Sequence, residues 1–188
     1  MNYKAVVIGA SMGGLEALRV ILSSIPNNFA APIIIVQHIS PQSDNYMIEY
    51  FNHKCSLIVK EAEEKEQICP GIVYIAPPNY HLLIEKDGTM SLTVEPRVNY
   101  SRPSIDVLFE TAADAYREGL VGVILTGANS DGSNGLKKIK DRGGLAIVQD
   151  PITAVSDNMP KAAIKNTNVD FVLNLQKISC KLIEIFQE

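Results

Sequence analysis

Near its N-terminus the chain reads Val6-Val7-Ile8-Gly9-Ala10-Ser11-Met12-Gly13-Gly14-Leu15, an apolar run that passes through glycines into a second apolar pattern. The segment 5–8 has the continuously apolar, β-branched composition of a buried parallel strand. From Leu15 onward the apolar residues recur at helical spacing, which predicts an α-helix beginning near Gly14. Ser11 is therefore expected on a tight strand-to-helix turn, where glycines permit left-handed backbone and the helix N-terminus directs unpaired N–H groups at the loop.

Two chemistries fit such a turn. The spacing Gly9-x-Ser11-x-Gly13 matches the nucleophile elbow of serine hydrolases, and the same glycines resemble a nucleotide phosphate loop. The second predicted strand ends in Gln37-His38 rather than in the acidic residue of a dinucleotide site, and no Gly-Lys-Ser/Thr follows the glycines. The motif by itself leaves open a hydrolase, a phosphate-binding loop and a purely structural turn.

Composition limits the function classes. The chain has 188 residues, 46% of them hydrophobic and 20% charged, as expected for one well-packed globular domain. Its formal net charge of −4 argues against nucleic acid as a partner. We find no signal peptide, no basic amphipathic stripe and no apolar segment of transmembrane length, so no direct membrane insertion is expected.

The cysteines give two further expectations. Cys55, Cys69 and Cys180 are widely spaced and odd in number, which is typical of reduced thiols in a cytoplasmic protein. His53 lies close to Cys55, but no paired CxxC or HxxxH spacing supports a metal site, and we expect none.

The remaining sequence alternates between strand and helix patterns without repeats or linkers. Asp87-Gly88 between two apolar runs predicts an antiparallel hairpin with strands at 81–85 and 91–95. The fold class predicted is α/β, a mostly parallel, doubly wound, Rossmann-like sheet with helices on both faces and this hairpin inserted. The other expected strands lie at 32–36, 57–60, 72–76, 121–125, 145–148 and 170–173, and the other expected helices at 44–52 (with Ser43 as N-cap), 102–117, 133–142, 158–166 and 175–186.

In such a sheet, catalytic groups collect outside the carboxyl ends of the strands. Ser11 follows the first strand, His38 the second and Asp131 the strand at 121–125, so all three are expected on one rim. Two rivals, His81 and Asp150, also follow predicted strands. His38 could instead be a hydrogen-bonded interior histidine, and Asp131 a turn residue or helix N-cap.

Several separated motifs together resemble the catalytic domain of the chemotaxis protein-glutamate methylesterases, the CheB family. They occur in the family's order and cover nearly the whole chain. We therefore expect residues 1–188 to form a single methylesterase-type catalytic domain without the family's N-terminal receiver domain, regulated if at all by a separate protein. The matching stretches are Ile8-Gly9-Ala10-Ser11-Met12-Gly13-Gly14, Val36-Gln37-His38, Tyr74-Ile75-Ala76-Pro77, Arg102-Pro103-Ser104-Ile105-Asp106-Val107-Leu108-Phe109, Val123-Ile124-Leu125-Thr126-Gly127 and Ser130-Asp131-Gly132.

The resemblance implies an activity and a set of roles. Ser11 would be the nucleophile, His38 the general base and Asp131 the group that orients His38. The family hydrolyses γ-methyl esters of glutamate on the cytoplasmic helices of chemoreceptors, releasing methanol, and is associated with deamidation of receptor glutamines. No cofactor is implied.

This chain departs from the usual family pattern in two places. It has Met12 where the family usually has threonine, and Ala128-Asn129 where the family usually has Met-Gly. We expect backbone N–H groups after Ser11, those of Met12 and Gly13, to form an oxyanion hole with that of Ala128. The departures keep an alternative open, a non-catalytic regulatory module that binds a partner protein at the same rim.

Overall fold

A twisted sheet of parallel strands forms the centre of the computed structural model, which describes residues 3–38 and 46–187. Within these ranges the strands are β1 (Ala5–Ala10), β2 (Ile33–Gln37), β3 (Ile58–Glu61), β4 (Ile72–Ile75), β5 (His81–Ile84), β6 (Met90–Thr93), β7 (Leu120–Ile124), β8 (Leu145–Gln149) and β9 (Phe171–Leu173). The helices are α1 (Gly14–Leu22), α2 (Tyr46–Lys54), α3 (Ile105–Tyr116), α4 (Ser133–Asp141), α5 (Asn158–Asn166) and α6 (Leu175–Gln187).

The strand order confirms the predicted doubly wound sheet. It is β3-β4-β2-β1-β7-β8-β9, with every neighbouring pair parallel, while β5 and β6 form the separate antiparallel hairpin. Strands β2, β4 and β3 lie on one side of β1, and β7, β8 and β9 lie on the other, so the chain passes to the second side of the sheet at β7. The crevice between the carboxyl ends of β1 and β7 is therefore the topological switch point, where doubly wound sheets bind ligands.

The continuous burial of the central strands follows from helices on both faces. Alternate residues of β1 face opposite sides: Val7 packs in the core under α3, α4, α5 and the hairpin, while Val6 and Ile8 pack in the core under α1, α2 and α6. All six residues of β1 are buried. The site-bearing strands are thus fixed in the interior, and only their ends meet solvent.

Some local predictions require correction. Helix α3 begins at Ile105 rather than at Arg102, because Ser104 has extended backbone and serves as the N-cap. On helix α2, Tyr46 is 60% exposed, whereas Phe51 is fully buried. The predicted helix start at Ser43 and Asp44 lies outside the described residues. No helix within the described ranges is both long and apolar enough to cross a membrane.

Candidate active site

Ser11 and His38 lie side by side because β1 and β2 are paired in register up to their last residues. The final pair is Ala10 with Gln37, and the backbone N–H of His38 donates to the Ala10 carbonyl at 3.0 Å. On the other side, the backbone N–H of Ser11 donates to the Thr126 carbonyl at 3.0 Å. Ser11 thus lies between the loops that follow β2 and β7.

The turn after Ser11 has the geometry that its glycines predict. The Ser11 carbonyl accepts a hydrogen bond from Gly14 N at 2.8 Å, and Gly13 has φ +79°, a conformation that favours glycine. Met12 exposes 58% of its surface. The backbone N–H groups of Met12 and Gly13 have no hydrogen-bond acceptor among residues 3–38 and 46–187. They are therefore available to a bound oxyanion.

His38 is oriented by Asp131. Its Nε2 lies 2.9 Å from Asp131 Oδ2, and only 13% of the His38 side chain is exposed. Within the described part of the chain, no hydrogen bond joins Ser11 Oγ to the imidazole. Since Nε2 faces the carboxylate, Nδ1 is the ring nitrogen that has no hydrogen-bond partner among the described residues.

The Asp131 carboxylate is completely buried and surrounded by donors. Besides His38, its oxygens accept hydrogen bonds from Ile105 N at 2.7 Å, Ser104 Oγ at 2.9 Å and Asp106 N at 3.2 Å. Burial by itself would raise the pKa of Asp131, but the hydrogen bonds from His38, from Asn99 Nδ2 at 2.9 Å and from Ile105 N hold the pKa below its ordinary value. The carboxylate is therefore kept ionised, as an anion facing the imidazole must be.

The N-terminus of α3 explains how a buried anion is tolerated. The first backbone N–H groups of that helix point at Asp131, so the carboxylate accepts from unpaired helix donors and lies at the positive end of the helix dipole. Ser104, the N-cap residue, does not cap its own helix but donates its hydroxyl to Asp131. The alternative role for Asp131, as the N-cap of the helix that follows it, is wrong, because the N-cap of α4 is Gly132.

The rival residues His81 and Asp150 have other partners. His81 is 1% exposed, and its Nδ1 accepts from Ser104 N at 3.2 Å while its Nε2 lies 3.1 Å from the Pro96 carbonyl. Asp150 accepts from Ile152 N at 3.0 Å and caps a short 3₁₀ turn. His81 therefore supports the segment that carries Ser104, and neither His81 nor Asp150 forms a hydrogen bond with Ser11 within the described ranges.

Two polar residues next to Asp131 were missed by the sequence analysis. Asn99 Nδ2 lies 2.9 Å from both Asp131 Oδ1 and Asp106 Oδ2 and so bridges two buried carboxylates. Burial and the charge of Asp131 both raise the pKa of Asp106, whereas a hydrogen bond from Gly135 N lowers it. The net result is a pKa above the ordinary value. The asparagine could have been noticed only as part of the Asn99-Tyr100 turn, whose residues both have positive φ.

Ala128, the third predicted oxyanion residue, follows Gly127 on the loop after β7. A Cβ added to Gly127 would lie 3.0 Å from Ser11 Cβ, so this loop packs directly against the serine. The Ala128 carbonyl accepts from Asn158 Nδ2 at 3.1 Å, whereas its N–H has no acceptor in the described ranges. The role of Ala128 in an oxyanion hole stays a prediction, as do those of Met12 and Gly13.

A metal centre is not formed by the described residues. No group of three or more His, Cys, Asp or Glu side chains in residues 3–38 and 46–187 is arranged to hold an ion. Of the residues considered from the sequence, His53 and Cys69 are exposed, and burial raises the pKa of the Cys55 thiol to about 11. A thiol with so high a pKa is protonated at neutral pH and is a poor metal ligand.

The fold and the site together define a class, a doubly wound α/β protein whose sheet rim carries the hydroxyl, imidazole and carboxylate that serine hydrolases use. The model of the family described as CheB methylesterase matches residues 6–182. The chain belongs to the CheB methylesterase family, as its sequence resemblance predicted.

Individual relatives agree with this assignment. A Leptospira interrogans protein is 58% identical over 187 residues, covering 100% of this chain and 97% of that protein. A Thermotoga maritima protein named protein-glutamate methylesterase/protein-glutamine glutaminase is 40% identical over 185 residues, covering 97% of this chain and 54% of that protein. The crystal structure of the Thermotoga maritima CheB methylesterase catalytic domain superposes with a TM-score of 0.94 at 39% identity, covering 98% of this chain and 100% of that one. Nothing in these comparisons supports the non-catalytic or nucleotide-binding alternatives.

Proposed function

We propose that this protein is a serine esterase that hydrolyses γ-methyl esters of glutamate on the cytoplasmic helices of chemoreceptors. The observation that carries the proposal is the 2.9 Å contact between His38 Nε2 and Asp131 Oδ2 beside Ser11 at adjacent strand ends. The name of the Thermotoga maritima relative supports the substrate class. The Ser-His-Asp order in the chain is no obstacle, because such triads are defined by geometry and roles.

The first half-reaction forms an acyl-enzyme. Rotation of the Ser11 side chain brings Oγ to His38 Nδ1, which takes the hydroxyl proton as Oγ attacks the ester carbonyl carbon. The tetrahedral intermediate collapses by breaking the bond between the carbonyl carbon and the methoxy oxygen, and the imidazolium gives its proton to that oxygen, so that methanol departs. Water then repeats the sequence on the acyl-enzyme, releasing the glutamate carboxylate and restoring the serine hydroxyl.

Two features stabilise the charges that develop. Asp131 holds the ring orientation and stabilises the imidazolium, and its own network keeps it ionised. The free N–H groups of Met12 and Gly13, with that of Ala128, would donate to the oxyanion, each donor contributing about 3 kcal/mol to transition-state stabilisation. A primary amide can form the same acyl-enzyme with ammonia as the leaving group, so the mechanism also accounts for deamidation of glutamine side chains.

The rim around Ser11 suits a protein substrate. Met12 is 58%, Val155 73% and Ile152 92% exposed, and Val155 packs directly over Gly13. Exposed apolar side chains beside a catalytic site provide a surface for an apolar partner segment. We expect the chemoreceptor helix to lie across this rim with its esterified side chain entering between the loops after β1 and β7.

The test compares wild type with Ser11→Ala on receptor carrying labelled methyl esters. Triad logic predicts a loss of about a million-fold in turnover without loss of fold. His53→Ala is the control, because His53 is an exposed histidine on α2, and it should keep wild-type activity. A serine-reactive fluorophosphonate should label the wild type and not Ser11→Ala. Retention of even a tenth of the turnover by Ser11→Ala would rule the nucleophile out.

A further inference from the structure

Gln37 connects the backbones of the two residues that carry the chemistry. It is the last residue of β2, and only 6% of it is exposed. Its Nε2 donates to the Ser11 carbonyl at 2.9 Å and to the His38 carbonyl at 2.9 Å. Both protons of this amide are therefore used to link the loop after β1, which carries Ser11, to the start of the loop after β2, which carries His38.

The orientation of this amide is fixed by its partners. Both acceptors are backbone carbonyls, which cannot donate, so Nε2 must face them and Oε1 must face away. Oε1 is buried and accepts no hydrogen bond within the described ranges. It lies against Gly14, where an added Cβ would come within 1.9 Å of it. A buried amide oxygen without a donor costs stability, so its retention points to a role for the Nε2 contacts.

Peptide geometry connects this contact to the oxyanion site. The Ser11 carbonyl and the Met12 N–H belong to one planar trans peptide, so they point in opposite directions. The Ser11 oxygen is held by two donors, Gln37 Nε2 and Gly14 N. The Met12 N–H is consequently held pointing away from Gln37, and it has no acceptor among the described residues.

We infer that Gln37 is a positioning residue for hydrolysis, which fixes the direction of the Met12 N–H and the place of His38 beside Ser11. The inference rests on the proposed esterase function. It predicts that loss of the amide donors lowers the rate of the chemical step more than it weakens substrate binding, because the affected groups act on the reacting atoms.

The decisive variant is Gln37→Met, which keeps the length of the side chain and removes both donors. We expect kcat for ester hydrolysis to fall about 30-fold, less than the roughly 100-fold or more lost when an oxyanion donor is removed outright, with KM changed by less than about threefold. Asn52→Leu is the matched control. Asn52 Nδ2 also donates to two backbone carbonyls, those of Ile48 at 3.1 Å and Val59 at 2.7 Å, but it joins α2 to β3 at the edge of the sheet. This control should lose stability and keep kcat.

Gly14→Ala provides a second perturbation if Gln37→Met does not fold. Its methyl group would displace the Gln37 amide from its carbonyls while leaving the amide in the chain, and the same fall in kcat is expected. A kcat per folded molecule equal to wild type in whichever variant folds would overturn the inference.

The hydrogen bond between His38 and Asp131 separates this inference from the proposed function. Gln37→Met should change the ¹H NMR resonance of the His38 ring proton that faces Asp131, because the ring no longer keeps its place against the carboxylate, whereas Asn52→Leu should leave this resonance unchanged. If wild type reacts with neither ester nor fluorophosphonate, the proposed function fails, and this resonance still decides on Gln37. An unchanged resonance in Gln37→Met would then count against the positioning role.

Discussion

The Asp131 carboxylate accepts a hydrogen bond of 2.7 Å from the backbone N–H of Ile105, the first residue of a helix that begins 26 positions earlier in the chain. One carboxylate thus orients His38 and caps α3. Because the same oxygens serve both purposes, the integrity of the helix start and the ionisation of the candidate catalytic residue depend on each other. Substitutions of Asp131 should therefore affect the stability of the fold and the hydrolytic activity together.

Replacement of Asp131 by asparagine should reveal this double role. The carboxamide keeps the size of the side chain, but its NH₂ group would face donors such as Ile105 N or Ser104 Oγ. We expect turnover to fall about ten-thousand-fold, as when the orienting carboxylate of a triad is lost. Leaving buried donors unpaired should lower the free energy of unfolding by about 3 kcal/mol. Ester hydrolysis and urea unfolding measure the two effects.

Asp150→Asn is the control for the Asp131 variant. Asp150 also accepts a backbone N–H, that of Ile152, but at a short 3₁₀ turn away from His38. Asparagine replaces aspartate as a cap with little cost, so stability and turnover should stay near wild type. If Asp131→Asn behaved like Asp150→Asn, neither the orienting nor the capping role could be maintained.

The shared rim of Ser11, His38 and Asp131 could be predicted from the sequence because strand order alone brings these positions together. Ser11, His38 and Asp131 each follow a buried apolar strand, and in a parallel sheet such positions share one rim whatever the details of packing. Each of these three residues also belongs to a family motif that is a continuous stretch of the sequence. The expectation that these three side chains lie on one rim therefore needed no knowledge of how the loops fold.

The supporting residues could not be predicted because their roles depend on contacts between distant segments. Nothing local indicates that Asp131 caps α3 rather than α4, or that the Ser104 hydroxyl serves another loop. Gln37 was visible only as a neutral residue where a dinucleotide site would have an acid. Its use of both amide protons depends on where the carbonyls of Ser11 and His38 lie in three dimensions.

The raised pKa of Asp106 predicts a pH dependence of the free energy of unfolding that is opposite in sign to the one predicted by the lowered pKa of Asp131. The pKa of Asp106 is raised, so between the ordinary value of 3.8 and the raised value the folded protein keeps a proton that the unfolded chain releases. The contribution of Asp106 to the free energy of unfolding is therefore present at low pH, and it is lost as the pH rises through the pKa that Asp106 has in the folded protein. The depressed pKa of Asp131 contributes stability above 3.8 that is lost as pH falls.

The variant Asp106→Asn should remove the component that decreases with pH. Its Oδ1 can still accept from Gly135 N, but its NH₂ group would face Asn99, so the absolute stability should fall. The diagnostic quantity is the slope of the unfolding free energy between about pH 4 and pH 7, measured by urea titration. This slope should be more positive in the variant than in wild type. Parallel curves would show that Asp106 has the same pKa in the folded and unfolded protein.

The turn that delivers Asn99 to Asp131 has a tyrosine where its backbone favours glycine. Val98 and Ser101 exchange backbone hydrogen bonds of 3.1 and 2.9 Å, and between them Asn99 and Tyr100 have φ of 49° and 64°. Positive φ at both central positions is the pattern of a type I′ turn, for which Asn-Gly is preferred. Tyr100 is 96% exposed, so its ring contributes little packing to offset this conformation.

Tyr100→Gly should therefore stabilise the protein. It creates an Asn-Gly pair and relieves the left-handed conformation of a residue with a Cβ, which should raise the free energy of unfolding by about 1 kcal/mol. Tyr100→Ala removes the same ring but keeps the Cβ at φ 64°, so its stability should stay close to that of wild type. Urea unfolding of the two variants isolates the backbone effect from the loss of the ring. Equal stabilities of the glycine and alanine variants would mean that Tyr100 adopts its positive φ without strain.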